Sequence, residues 1–206
     1  MSIRGHLPHA QAAALIRSRV RDIPDFPKPG VLFRDITAVW KHSDAFRACM
    51  DVFMEHYFPG GNAAPAGRPT SGDAAGTARP DLIVGIESRG FVVGSAFAGR
   101  CGLGFVPIRK RGKLPAEVHS HEYELEYGTD CVEIHTDAIE PGQSVIVMDD
   151  LLATGGTLLA SLELLKRVGA RVVGCAVVID LPDLGGSRRI RDTGVPVFSI
   201  LEYPGH

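Results

Sequence analysis

Hydrophobic and polar positions change rhythm along the chain. From about His9 to Val20 apolar residues recur at helical spacing, and the pattern stops at "RDIPDFPKPG", whose prolines exclude regular structure. After "VLFRDIT", Ser43 is placed as the N-cap of a second helix through "DAFRACMDVFMEHYF", with Phe46, Met50, Phe53 and Tyr57 on one face. Residues 59–80, "PGGNAAPAGRPTSGDAAGTARP", offer almost nothing to bury and read as a flexible surface insertion, not a domain linker.

From Asp81 short apolar runs alternate with helical ones. "DLIVGIE", "GFVPIRK", "SVIVMDD", "RVVGCAVVID" and "VPVFSIL" have the β-branched content of buried strands. Between them, "GFVVGSAFAGRC" and "GTLLASLELLKRVG" have helical periodicity; the second carries Leu158, Leu162 and Leu165 in one stripe and stops at Gly169. This alternation predicts an α/β fold: a mostly parallel twisted sheet flanked by helices, in a single domain over residues 1–206. Ligands of such sheets bind at the carboxyl ends of the strands.

Composition narrows the class. The 206 residues are 45% hydrophobic and 22% charged, as in a soluble globular domain that buries its own core. A formal charge of −2 supplies no general field for nucleic acid, so any anion site must be local. Cys49, Cys101, Cys131 and Cys175 form no CxxC pair and are expected to be reduced and mostly buried, which points to the cytoplasm. The apolar patch near the N-terminus is too short and interrupted for a signal peptide, and no segment approaches a membrane span.

Polar clusters mark three of the strand ends. In "VIVMDDLLATGGT", Gly155 and Gly156 let the backbone approach a ligand, the N–H groups of a helix start can hold an anion, and Thr154 and Thr157 add hydroxyl donors. Taken alone, "TGGT" is equally a plain turn capped by threonine. Asp149 and Asp150 favour a ligand: ionised carboxylates only accept, so an adjacent pair suits a vicinal diol, and a diol beside a phosphate describes a ribose 5-phosphate. The alternative is one solvated aspartate and one that caps the turn. "GIESRGF" sets Ser88, Arg89 and Gly90 in a polar turn before a helix, and "IRKRGKLP" puts Arg109, Lys110, Arg111 and Lys113 at a third strand end. In isolation such a basic loop is a solvated surface; beside two other anion sites it suits a diphosphate. Competing phosphate motifs fail, since Pro107 stands where a P-loop glycine would be required and "GLG" at 102–104 precedes a strand. The eight histidines have no metal-ligand spacing.

"VIVMDDLLATGGT" resembles the 5-phosphoribosyl 1-diphosphate signature of the type I phosphoribosyltransferases. "PDFPKPGVLFRDIT", "GIESRGF", "IRKRGKLP" and "LEYG" follow in the family's order, so the resemblance runs from about Ile23 to Tyr203. It implies that Asp149 and Asp150 hold the ribose hydroxyls while Ala153, Thr154, Gly155, Gly156 and Thr157 cradle the 5-phosphate. Ser88 and Arg89 would form the diphosphate loop, where the family often has a non-proline cis peptide, and Arg109, Lys110 and Lys113 would meet the same group. Residues 24–37 match part of a small base-binding hood, with Leu32, Phe33 and Arg34 on the base, Phe33 stacking and Leu181 closing the other face. Glu126 and Tyr127 match a lid loop over residues 112–128. Arg89 and Glu126 are the expected catalytic residues, Glu126 through proton handling at the purine. The same stretch also reads as an ordinary long hairpin, and Glu126 as a solvated carboxylate.

"DDLLATGGT" and "GVLFRD" favour the family members that act on adenine. The implied reaction moves the phosphoribosyl group from 5-phospho-α-D-ribose 1-diphosphate to adenine, giving AMP and diphosphate, with Mg²⁺ carried by the substrate. A cytoplasmic homodimer is implied, with no nucleic-acid or membrane partner. Two readings compete: a transferase for another purine or pyrimidine, and a transcription regulator that senses the same sugar. The regulator would need a DNA-binding module, and the residues before Phe26 offer one short helix without a basic patch. The insertion at 59–80 is longer than the family's usual connection.

Overall fold

The computed structural model describes residues 7–60, 79–124 and 128–204. The chain divides into two compact units, Met1–Asn62 with Pro204–His206 and Ala63–Tyr203. Their boundary falls inside residues 59–80, the stretch with least to bury, and the expected hood segment belongs to the smaller unit.

In the smaller unit, helices α1 (His9–Arg17) and α3 (Ser43–Tyr57) pack together through one stripe each. Ala12 and Ile16 are buried on α1, and Ala45, Cys49, Val52 and Phe53 on α3. Of the predicted stripe, Met50 and Phe53 are buried while Phe46 and Tyr57 are half-buried. Ser43 is the first helical residue and not the cap. The cap position takes extended dihedrals, which His42 adopts (φ −94°, ψ 106°), and no side chain caps this helix.

The proline-rich stretch also departs from expectation. Arg21–Pro24 (β1) pairs antiparallel with Leu32–Asp35 (β2), in the register Ile23↔Phe33 and Pro24↔Leu32. Proline is tolerated at the end of an edge strand, where Pro24 sits. Asp25 (φ 58°) accepts a 2.8 Å hydrogen bond from the Gly30 N–H, closing the turn that contains Pro27 and Pro29. Asp35 accepts from the Thr37 N–H and hydroxyl at 2.9 and 2.7 Å, which starts α2 (Thr37–Lys41).

The larger unit is built on a sheet of seven strands among the described residues, in the order β5-β6-β4-β3-β7-β8-β9. Parallel strands β3 (Leu82–Ile86), β4 (Gly104–Lys110), β7 (Ser144–Leu152), β8 (Arg171–Asp180) and β9 (Val197–Glu202) form its body. The hairpin of β5 (Val118–Glu124) and β6 (Thr129–His135) joins β4 antiparallel through β6, so the sheet is mixed. Val84, Ile86, Val106, Ile108, Val145 and Val147 pack with Leu158, Leu162 and Leu165 of α5 (Gly156–Arg167) on one face. Alternation along a strand sends Ile83 and Gly85 to the other face, where α4 (Arg89–Cys101) lies. There a Cβ at Gly94 would stand 3.0 Å from the Phe105 ring and 3.4 Å from Gly85 Cα, so the glycines set how closely helix and sheet approach. A short helical turn, Pro182–Leu184, and α6 (Gly186–Arg191) connect β8 to β9.

The segment read as a lid over residues 112–128 contributes β5 to the hairpin. Glu126 and Tyr127 lie outside the described residues, as do residues 61–78 of the insertion. Cys49, Cys101, Cys131 and Cys175 are buried and form no disulfide, and burial pushes the thiols of Cys49, Cys101 and Cys175 up to about 12. No helix among the described residues is long and apolar enough to cross a membrane.

Candidate active site

The carboxyl ends of β3, β4 and β7 meet at one cleft of about 320 Å³. Its lining is Glu87, Ser88, Arg89, Lys110 and the run from Asp149 to Leu158, which brings together most of the predicted sugar-phosphate and diphosphate residues. Arg109 and Lys113 are not part of that lining. Arg109 is turned onto Glu87, donating from Nε and Nη2 at 3.2 and 3.1 Å, and its Nη1 donates to the Lys113 carbonyl at 3.0 Å. Glu87 also accepts from the Lys110 N–H at 2.9 Å. Burial acts to raise the Glu87 carboxyl, but Arg109, the Lys110 N–H and Lys113 together hold it below its ordinary value. The next peptide bond, Glu87–Ser88, is cis, as the resemblance implies for this loop.

The loop expected to cradle a phosphate follows β7. Gly155 adopts φ 80° and ψ 5°, a left-handed conformation that glycine takes without Cβ strain, and α5 starts at Gly156. The first helical bond runs from the Leu159 N–H to the Gly155 carbonyl at 2.9 Å. The N–H groups of Gly156, Thr157 and Leu158 precede it and have no intrahelical acceptor, the arrangement that holds an anion at a helix start. A brace missed in the sequence comes from α6. The Gly186 N–H donates to the Ala153 carbonyl at 3.1 Å, and Arg189 Nη1 donates to the Thr154 carbonyl at 2.8 Å. A Cβ at Gly186 would lie 2.2 Å from the Ala153 oxygen, so the brace depends on glycine. The doublet "GG" at 185–186 is the signal that could have marked it.

The two aspartates differ. Asp150 is 1% exposed and its carboxylate lies 3.2 Å from Arg89 Nη1. Asp149 is half-buried, and its Oδ1 accepts the Asp150 N–H at 2.8 Å. Burial raises the Asp149 carboxyl well above its ordinary value of 3.8, and the neighbouring charge of Asp150 adds to the rise. Burial raises Asp150 as well, against the pull of Arg89. Gly90, in the first turn of α4, presses on the same place: a Cβ there would stand 2.7 Å from the Met148 carbonyl oxygen and 3.1 Å from Asp149 Oδ1.

Two further residues went unnoticed in the sequence, where "HEYE" and "TDC" carry no motif. Tyr123 of β5 places its hydroxyl 3.0 Å from Thr157 Oγ1 and accepts from Lys110 Nζ at 2.7 Å. Asp130 of β6 pairs with Lys110 and stands 3.0 Å from the same hydroxyl.

The residues assigned to the base are placed as follows. Leu32, Phe33 and Arg34 lie on β2 of the smaller unit, where Phe33 meets Phe26 edge-on at 5.1 Å and buried Arg34 pairs with Asp22. In the larger unit Leu181 follows β8, its N–H bound to the Leu152 carbonyl at 2.9 Å.

The sheet gathers an adjacent carboxylate pair, a helix start with N–H groups that lack intrahelical acceptors and a cationic loop at one cleft, a set of groups suited to a phosphorylated sugar. The chain belongs to the phosphoribosyltransferase family: the phosphoribosyl transferase domain matches residues 72–201. Similar proteins narrow this to the adenine phosphoribosyltransferases. The one from Leptospira biflexa is 47% identical over 194 residues, covering 94% of this chain and 99% of its own. The crystal structure of the Rhodothermus marinus enzyme matches with a TM-score of 0.80 at 40% identity, over 94% of this chain and 99% of its own. The Saccharomyces cerevisiae enzyme, solved with adenine and an imino-altritol bisphosphate, matches with a TM-score of 0.79 at 35% identity, over 93% and 99%.

Proposed function

We infer that the protein is an adenine phosphoribosyltransferase, which transfers the phosphoribosyl group from 5-phospho-α-D-ribose 1-diphosphate to adenine and releases diphosphate. The carrying observation is the single cleft that joins Asp149 and Asp150 to the helix start at Gly156, in a chain 47% identical to such an enzyme over 94% of its length. In this reading Asp149 and Asp150 accept from the ribose hydroxyls, and Ala153 to Thr157 hold the 5-phosphate. Ser88, Arg89 and Lys110 meet the diphosphate, while Arg109 and Lys113 add positive potential behind them. A ring nitrogen of adenine attacks the anomeric carbon as the bond to diphosphate breaks. The carbon passes through an oxocarbenium-like state, and cations fixed beside the leaving group stabilise the charge it gains. Asp150, buried against Arg89, also keeps that guanidinium aimed into the cleft.

Leu32, Phe33 and Arg34 are assigned to the base. Main-chain donors and acceptors can reject a 6-oxopurine because the wrong substituent leaves a buried polar group unpaired. Leu181 is assigned an apolar contact with the base, Glu126 proton handling and Tyr127 the covering loop. Mg²⁺ suits this donor set as an ion carried by the substrate. The described residues hold no group of three or more His, Cys, Asp or Glu side chains for a metal, while Asp149 and Asp150 add hard oxygens beside the sugar. When bound, the ion neutralises charge on the diphosphate. A homodimer in the cytoplasm completes the reading; four buried cysteines outside any disulfide suit a reducing compartment.

The purified protein should release diphosphate when adenine, the sugar diphosphate and Mg²⁺ are all present. Its kcat/KM for adenine should exceed that for hypoxanthine, guanine or orotate by about a hundredfold or more. Preference for another base would refute the assignment of the hood, and binding without turnover would favour a regulator.

A further inference from the structure

Tyr123 belongs to none of the sequence motifs, yet its hydroxyl reaches the phosphate loop. It stands 3.0 Å from Thr157 Oγ1, 2.7 Å from Lys110 Nζ and 3.0 Å from an Asp130 carboxylate oxygen that Lys110 also grips. Its ring lies beside the loop, 3.9 Å from where a Cβ of Gly156 would be.

Three partners restrict one hydroxyl proton. The Lys110 ammonium can only donate and the Asp130 carboxylate can only accept, so the Tyr123 proton goes either to Asp130 or to Thr157. If it goes to Asp130, Thr157 must turn its own proton back toward Tyr123. If it goes to Thr157, the Thr157 proton is released for a ligand on the loop, and Asp130 keeps Lys110 as its donor. The two patterns interconvert by rotation of two hydroxyl groups, with no bond made or broken.

We propose that Tyr123 is a positioning residue for the substrate's 5-phosphate: a phosphate on the loop selects the second pattern, in which Tyr123 donates to Thr157 and Thr157 donates to the phosphate. The proposal rests on the reading of Ala153 to Thr157 as the 5-phosphate loop. It also gives Lys110 a second duty, because its ammonium holds the phenol oxygen in both patterns. Tyr123→Phe keeps the ring and the Lys110–Asp130 pair, and removes the relay together with one of the Lys110 hydrogen bonds.

The test is calorimetric titration of ribose 5-phosphate and, separately, inorganic diphosphate into the wild type, Tyr123→Phe, Thr157→Ala and the double variant. Tyr123→Phe should weaken ribose 5-phosphate by about tenfold, as expected for a hydrogen bond serving a charged group, and raise KM for the sugar diphosphate to match. Diphosphate affinity, KM for adenine and Tm should stay near wild type. The double variant should be no weaker for ribose 5-phosphate than Thr157→Ala, because the two hydroxyls act in series. If Thr157→Ala loses ribose 5-phosphate while Tyr123→Phe does not, the relay is refuted and the loop assignment stands. If neither variant changes it, the loop assignment itself fails and the relay with it. Equal loss of both ligands together with a lower Tm would reduce Tyr123 to a structural role and also refute the relay.

Discussion

Adjacent carboxylates at the end of β7 repel each other, and the repulsion persists in a cleft where burial already disfavours charge. A raised native pKa means that the folded state holds a proton the unfolded state releases, so stability falls as pH rises from about 3.8 through the raised value. Asp149→Asn keeps an acceptor for the Asp150 N–H and removes one charge. It should therefore raise Tm by about 2–4 °C at pH 7.5, equivalent to about 1 kcal/mol, with the gain shrinking toward pH 4. The same change should weaken binding of the sugar diphosphate by about tenfold or more, since the amide gives up a charged acceptor. Thermal melts across pH, paired with titration of the sugar diphosphate, check both halves. At this scale the identity of the chemistry was legible and its direction was not. "IRKRGKLP" announced cations at a strand end, but that Arg109 turns onto Glu87 depends on a partner 22 residues away that only the β3–β4 pairing brings near. The different environments of Asp149 and Asp150 likewise follow from which face of the strand each side chain takes.

Strands and helices differed in how openly the sequence declared them. β4 and β8 match "GFVPIRK" and "RVVGCAVVID" residue for residue: β8 is buried on both faces along most of its length and is a near-continuous apolar run, and β4 buries Val106 and Ile108 on one face. β5, "VHSHEYE", is mostly exposed and polar, so no hydrophobic period marks it; pairing with β6 makes it a strand. β1 was hidden by its own proline for a similar reason. The contact of α4 with β7 is where an element bears directly on the chemistry. Gly90→Ala would drive a methyl against the Met148 carbonyl and Asp149, so either α4 or the carboxylate must move. That should lower kcat/KM by about a hundredfold with a Tm loss of only a few degrees, since misplacement by about an ångström costs far more in rate than in stability. Steady-state kinetics set beside a thermal melt distinguish this from general unfolding.

Across the whole molecule, residues 59–80 are the part for which the sequence gives neither period nor motif. Within the larger unit they join β3 at its amino end, whereas Glu87, Ser88 and Arg89 follow its carboxyl end. Replacing residues 61–78 with a short Gly/Ser linker should leave kcat/KM for adenine within about twofold and Tm nearly unchanged, because loop length changes closure entropy slowly. A loss of activity with normal folding would show that the segment serves the site. The parallel run of β3, β4 and β7 thus gives the sheet two rims with different histories open to them. One rim is crowded by glycines that tolerate no added atom and by side chains committed to one another, so substitutions there should be purged. At the other, the linker replacement is expected to show that chain length can change without touching the chemistry, which would leave that rim open to divergence.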